Sequence, residues 1–379
     1  MAFQHTPFKR KARVALLGAG FIAEFHVRAL RAIPEIELVG VCDLAWDKAQ
    51  SAGRRWQIAN VYTSLDEMLA GCRPDVVHVL LPPGAHADAA IQCANAGVNT
   101  FVEKPLALSS RDCEKILQVA HSTGCVVGVN HNQAWHPAVV NAAGEIANRR
   151  LGRIEHVSTF LAAPLRQLSA RQHGHWMFRE PGNIILEQAP HPLSQITRLL
   201  GPVREVSCLP SGRQTLSTGA VFFDTWQISL ICERGPAQML LAFGRDHLEF
   251  SLQIIGQDAT AQLDLRRNVV VYHDKSRFLE PVEFALDGLR MARNVARQSS
   301  RNFVDYCLGF VKLRPPSDAF SLGMTTSIQQ FYAAFLSGAP VPVGSSEGLA
   351  VVRACEEIVD AARIHWAETE SERSQNAVR

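Results

Sequence analysis

The stretch "VALLGAGFIAEFH", residues 14–26, ends an apolar run on two glycines one residue apart and then takes up the spacing of a helix. Gly18, Gly20 and Ala23 form G-x-G-x-x-A between an expected strand and an expected helix. In such a turn the first glycine permits a tight bend and the second lets backbone N–H groups approach a pyrophosphate. The small third residue packs helix on strand. Asp43 closes the next apolar run, "VGVCD", about 20 residues on, where a carboxylate can accept both hydroxyls of an adenosine ribose. Its charge opposes a 2′-phosphate, and Leu44 and Ala45 bring no compensating cation. The pattern therefore predicts NAD, with NADP the less favoured coenzyme.

The rest of the first third of the chain agrees. "RVALLG", "IELVGVCD", "DVVHVLLP", "NTFVE" and "CVVGVN" are short runs apolar on both faces, separated by helical patterns. That alternation predicts an α/β, doubly wound parallel sheet of the Rossmann type covered by crossover helices. Near "LGRIEHV" strict alternation takes over. Leu248, Phe250, Leu252 and Ile254 share one face, and Ala261, Leu263 and Leu265 share another beyond a Gly256-Gln257-Asp258 turn. With "HVSTFLA", "VFFDTWQISLIC" and "AQMLLAF", this predicts a C-terminal α+β domain on a large, open, mostly antiparallel sheet, one face of which needs cover from helices or another subunit. The expected boundaries are 12–135 for the dinucleotide domain and 136–340 for the second domain, which includes a helical segment at 286–312. A C-terminal helix over 341–365 and an unstructured tail over 366–379 complete the chain.

Composition narrows the partners. The 38 basic and 36 acidic side chains nearly cancel, so no broad field exists to hold nucleic acid or an anionic membrane, and a small-molecule substrate is expected. The basic start is followed by an apolar run too short for a signal segment or a membrane span. Nine cysteines without a C-x-x-C pair suit a reducing compartment, and a cytoplasmic location is expected. The arginines at 290, 293, 297 and 301 suit a solvated helix face better than a ligand site.

Three clusters bring chemistry. "FVEKP" sets Glu103 and Lys104 at the carboxyl end of an expected parallel strand, where doubly wound sheets bind their ligands. "LEQAPHPLSQ" sets Glu187 and His191 four apart, a spacing that stacks a carboxylate and an imidazole on one helical face, although Pro190 and Pro192 favour a turn or a helix start; structural and catalytic roles are both open for this pair. "RQHGHWMF" offers His173, His175 and Trp176 as pocket lining; H-x-H without a third ligand of clear spacing makes a poor metal site, and no metal is expected.

GAGFIA, VCD, LLPPGAH, VEKP and a histidine in a glycine-led helical segment follow one another in the order of the Gfo/Idh/MocA oxidoreductases, the family of glucose–fructose oxidoreductase and inositol dehydrogenase, and the chain resembles that family over roughly residues 12–365. The resemblance implies an NAD(P)-dependent dehydrogenase acting on the carbinol of a sugar or cyclitol, often a homodimer or homotetramer joined through the open sheet. It assigns Lys104, His191 and Glu187 to catalysis and adds Phe21, Ile22, Leu81, Pro82, His86, Glu103, Lys104 and Asn132 to Gly18, Gly20, Ala23 and Asp43 as cofactor contacts. Trp135 and Ser194 join His173, His175 and Trp176 on the substrate side. Against the family pattern D-x-G-x-H-x-x-D, this chain has Glu187, Ala189 and Ser194, and Ala134 stands where the family carries an arginine. Two other outcomes fit the same fold: transient use of NAD to drive an elimination, and a dinucleotide sensor without catalysis.

Overall fold

Six strands of the first sheet all run the same way, as expected for strands with no polar face to show water. The computed structural model describes residues 10–274, 279–311, 313 and 321–376. These divide into two units: residues up to Trp135 with the later stretch that ends at Arg353, and His136–Val311 with the residues from Ala354 on.

In the first unit, β1 (Ala12–Leu17), α1 (Phe21–Arg31), β2 (Ile36–Cys42), α2 (Trp46–Arg55), β3 (Val61–Tyr62), α3 (Leu65–Cys72), β4 (Val76–Val79), α4 (His86–Asn95), β5 (Asn99–Glu103), α5 (Ser110–Thr123) and β6 (Val127–Asn130) alternate. The strand order is β3-β2-β1-β4-β5-β6, so the order in which strands are added reverses between β1 and β4, the point at which such sheets bind ligands.

In the second unit, α6 (Pro137–Ala147), β7 (Ile154–Ala163), α7 (Arg166–Ser169), α8 (Asn183–Gln188) and α9 (Pro190–Leu200) precede the strands β8 (Val203–Thr215), β9 (Val221–Cys232), β10 (Gly235–Phe243), β11 (Glu249–Gly256), β12 (Ala259–Asp264) and β13 (Val269–Asp274), and α10 (Glu280–Phe310) follows. The seven strands lie in the order β13-β12-β11-β7-β10-β9-β8, all antiparallel except for the β7–β10 pair. The predicted hairpin is there, with Leu252 opposite Leu263 and Ile254 opposite Ala261. Leu248 departs from its expected inward place: it precedes β11 and is 39% exposed.

The remaining helices, α11 (Ser321–Ser337) and α12 (Ser345–Asn376), differ from the expected domain plan. α11 belongs to the first unit, not to a second domain ending at 340. Its Phe331 packs against Phe101 of β5 with the rings tilted by 47° and their centroids 4.8 Å apart, and a Cβ on Gly128 of β6 would fall 2.5 Å from the Phe331 ring. This helix supplies aromatic cover to the sheet that α1 to α5 leave open. α12 starts with Glu347 accepting from the Gly344 N–H at 2.9 Å, half of a capping box, and then runs to Asn376 through residues expected to form a tail; 377–379 lie outside the described residues.

Candidate active site

Gly18 ends β1 at φ +107°, and a Cβ there would sit 2.5 Å from the Leu80 carbonyl oxygen; only glycine fits. Gly20 has open space around the position of a Cβ and stands at the N-terminus of α1. Asp43, just past β2, ties the turn together: its Oδ2 accepts from the Ala19 N–H and its Oδ1 from the Ala45 N–H, both at 3.0 Å. The Asp43 carboxylate is thus held beside the glycine turn, the arrangement that a dinucleotide pyrophosphate and ribose require. An open cradle over Gly20, a close approach at Gly18 and a fixed carboxylate all fit NAD. Phe21 is 78% exposed at the mouth of the turn, Ile22 is half-buried, and Ala23 is buried.

The E-K-P segment closes the sheet on the other side of the reversal. His86 lies between the carbonyl oxygens of Pro105 and Leu81, 2.8 Å from each, so its imidazole fastens this segment to the Leu81–Pro82 turn. Burial holds His86 below the ordinary histidine value. Glu103 is buried, and its Oε1 receives the Asn130 amide at 2.6 Å and lies 2.7 Å from His26 Nε2. Burial pushes its carboxyl up, but the hydrogen bonds from His26 and Asn130 and the charge on Lys104 outweigh that, so the net direction is down. Lys104 itself is half-buried.

Sequence reasoning missed two features here. His26, Nδ1 to Nδ1 with His78 at 2.7 Å, leads on to Tyr332, whose hydroxyl lies 2.8 Å from His78 Nε2. His131, just past β6, is 3% exposed, and neither ring nitrogen has a hydrogen-bond partner among the described residues. The Asn132 side-chain oxygen is buried and equally without a partner among the described residues, so it is free to accept from a polar ligand. A signal did exist: His78 interrupts an otherwise apolar buried strand, which demands a partner.

Burial, aided by the charge on Lys104, pulls His131 down to about 4. Since the unfolded chain holds that proton up to about pH 6.5, the folded form is favoured above that value and loses ground as pH falls toward 4. Urea unfolding over this range should show a loss of roughly 3 kcal/mol from this group, and His131→Phe should flatten the slope by that amount.

In the second unit, Ala189 has helical angles, so α8 and α9 join almost without a break and the Glu187–His191 spacing is helical. Pro190 and Pro192 occupy the first turn of α9, where a missing N–H costs nothing. Ser194 is buried, its hydroxyl donating to the His191 carbonyl at 2.8 Å. His173 pairs with the Ser217 hydroxyl at 2.7 Å, and His175 Nδ1 accepts from the Met177 N–H, starting the turn that carries Trp176. Trp135 is buried at the end of a short helical turn over Asn132–Trp135 of the first unit.

A parallel sheet with strand order 321456, a glycine turn after β1 and a carboxylate after β2 define a dinucleotide-binding Rossmann protein. Residues 12–131 match the Gfo/Idh/MocA family model, described as "Oxidoreductase family, NAD-binding Rossmann fold". Among curated relatives, 4-carboxy-2-hydroxymuconate-6-semialdehyde dehydrogenase of Sphingobium sp. is 33% identical over 144 residues, 37% of this chain and 46% of the relative. D-apiose dehydrogenase of Paraburkholderia graminis is 27% identical over 208 residues, 54% of this chain and 55% of the relative. The chain thus spans about half the length of these relatives. The WlbA dehydrogenase of Bordetella pertussis, solved with NADH and UDP-GlcNAcA, shares the fold at a TM-score of 0.75 and 21% identity, over 95% of this chain and 98% of that one.

Proposed function

We propose that the protein is an NAD-dependent dehydrogenase that oxidises a secondary alcohol of a sugar, cyclitol or related polyol, or runs the reverse reduction. The observation that carries this is the Asp43-braced glycine turn in the same sheet as an E-K-P segment at the end of β5. NAD, when bound, supplies the hydride acceptor. Gly18, Gly20, Phe21, Ile22, Ala23 and Asp43 would hold its adenosine and pyrophosphate, and Leu81, Pro82, His86 and Asn132 would border the rest. Lys104 Nζ holds the substrate hydroxyl, the His191 imidazole takes its proton, and Glu187, one helical turn earlier, orients that imidazole. His173, His175, Trp176, Trp135 and Ser194 shape the substrate side. The sugar class draws support from the relative named for D-apiose.

The test is a panel of aldoses, uronates and inositols with NAD, read by the near-ultraviolet absorbance of the reduced coenzyme. Sustained coenzyme reduction with one class supports the reading; bound NAD with no reduction by any member rejects it. Coenzyme choice rests on Asp43, and Asp43→Ser should narrow the preference for NAD over NADP by at least about tenfold, because it removes a charge opposed to the 2′-phosphate. An unchanged ratio of the two kcat/KM values would place discrimination elsewhere.

In the same reading, copies assemble as a homodimer or homotetramer through the outer sheet face of the second unit, where Gln227, Ser229, Gln238 and Leu240 are exposed in alternation with buried neighbours. No helix among the described residues is long and apolar enough to cross a membrane. All nine cysteines are free, which suits work in the cytoplasm.

A further inference from the structure

Four side chains from distant parts of the sequence form one buried line in the first unit. Tyr332 of α11, His78 of β4, His26 of α1 and Glu103 of β5 are linked at 2.8, 2.7 and 2.7 Å. The two histidines and the tyrosine are fully buried. Proton counting fixes the direction of the line. The ionised Glu103 accepts, so His26 carries a proton on Nε2. The contact between the two Nδ1 atoms has room for a single proton. Were that proton on His26, His78 would donate to the Tyr332 oxygen and the tyrosine hydroxyl hydrogen would have no acceptor among the described residues. With the proton on His78, every group is satisfied: Tyr332 donates to His78, His78 to His26, and His26 to Glu103.

We infer that Tyr332 is a positioning residue that, through fixed tautomers of His78 and His26, keeps Glu103 ionised and oriented beneath Lys104. The link to Lys104 is direct, since the Lys104 backbone N–H donates to Glu103 Oε2 at 3.3 Å. That this affects turnover rests on the dehydrogenase reading of Lys104; the tautomers do not. Burial keeps His78 well below the ordinary histidine value and Tyr332 well above the ordinary phenol value, so both stay neutral. The other titratable groups felt along the line are Lys104, His131 and His86 around Glu103, and Asp75 near Tyr332.

The decisive measurement is a long-range nitrogen–proton correlation spectrum of the full chain with labelled histidine, assigned with His78→Gln and His26→Gln. His78 is expected protonated on Nδ1 and His26 on Nε2. An Nε2-protonated His78, or an imidazolium at either site, overturns the inference. The second arm is Tyr332→Phe. It removes the terminal donor, so the Glu103 carboxylate is less stabilised and protonates more readily. The acid limb of kcat should move up by about one pH unit while KM for NAD stays within about twofold. A fall in kcat by the same factor at every pH is what a merely structural residue would give, and it counts against the inference. If no alcohol is oxidised at all, the dehydrogenase reading fails and the tautomer spectrum alone decides the relay.

Discussion

Lys104→Met is expected to lower kcat/KM by at least about a hundredfold while leaving NAD affinity within about threefold, the usual scale for removing a group that assists proton transfer. Methionine keeps the length and apolar stem of lysine but cannot hold a hydroxyl or carry charge. Loss of that charge also relieves His131, whose value Lys104 helps to depress, so the His131 ring should titrate closer to the ordinary range in the variant. Coenzyme affinity from protein fluorescence and turnover with the best alcohol from the panel would be measured together. Turnover within a few-fold of the parent would remove Lys104 from the chemistry, whatever the family pattern.

Gly18→Ala and Gly20→Ala should separate folding from coenzyme binding. At Gly18 the backbone angle is +107° and the added carbon meets the Leu80 carbonyl at 2.5 Å, so the variant is expected to lose about 2–4 kcal/mol of stability. At Gly20 the backbone is ordinary, φ −76°, and nothing lies within 4 Å, so that variant should unfold with the parent's midpoint. Its new methyl instead occupies the space a pyrophosphate needs, and NAD affinity should fall by tenfold or more, on the order of the 1.4 kcal/mol that one obstructed contact represents. Denaturant midpoints and coenzyme titrations on both variants check this pair. A Gly20→Ala variant with unchanged affinity would move the phosphates away from this turn.

Local patterns carried much of the architecture. Strands β1, β2, β4, β5 and β6 were readable because a strand buried on both faces must be apolar throughout, and no helix of the required length fits such short runs. The β11–β12 hairpin was readable for the opposite reason, one dry face and one wet one. β3, only two residues long, carries no periodicity to detect. The placement of α11 was out of reach as well: its Phe331, Tyr332 and Phe335 announce a buried helix but not which sheet they cover. At the site, the glycine turn, Asp43 and the E-K-P segment follow from short spacings. The Tyr332–His78–His26–Glu103 line does not, because its members lie 254, 52 and 77 residues apart and only the solitary histidine in β4 hints that something must answer it.

The late return of α11 bears on how the chain matures at the ribosome. The aromatic ring of Phe331 and the hydroxyl of Tyr332 belong to the interior of a sheet whose last strand ends at Asn130, so that sheet waits about 200 residues for its final layer. At ordinary elongation rates the wait lasts roughly 10 to 40 seconds, during which Phe101 and the strands around it stay partly uncovered. Nascent chains stalled before residue 321 should recruit holdase chaperones, and those stalled well beyond residue 353 should release them.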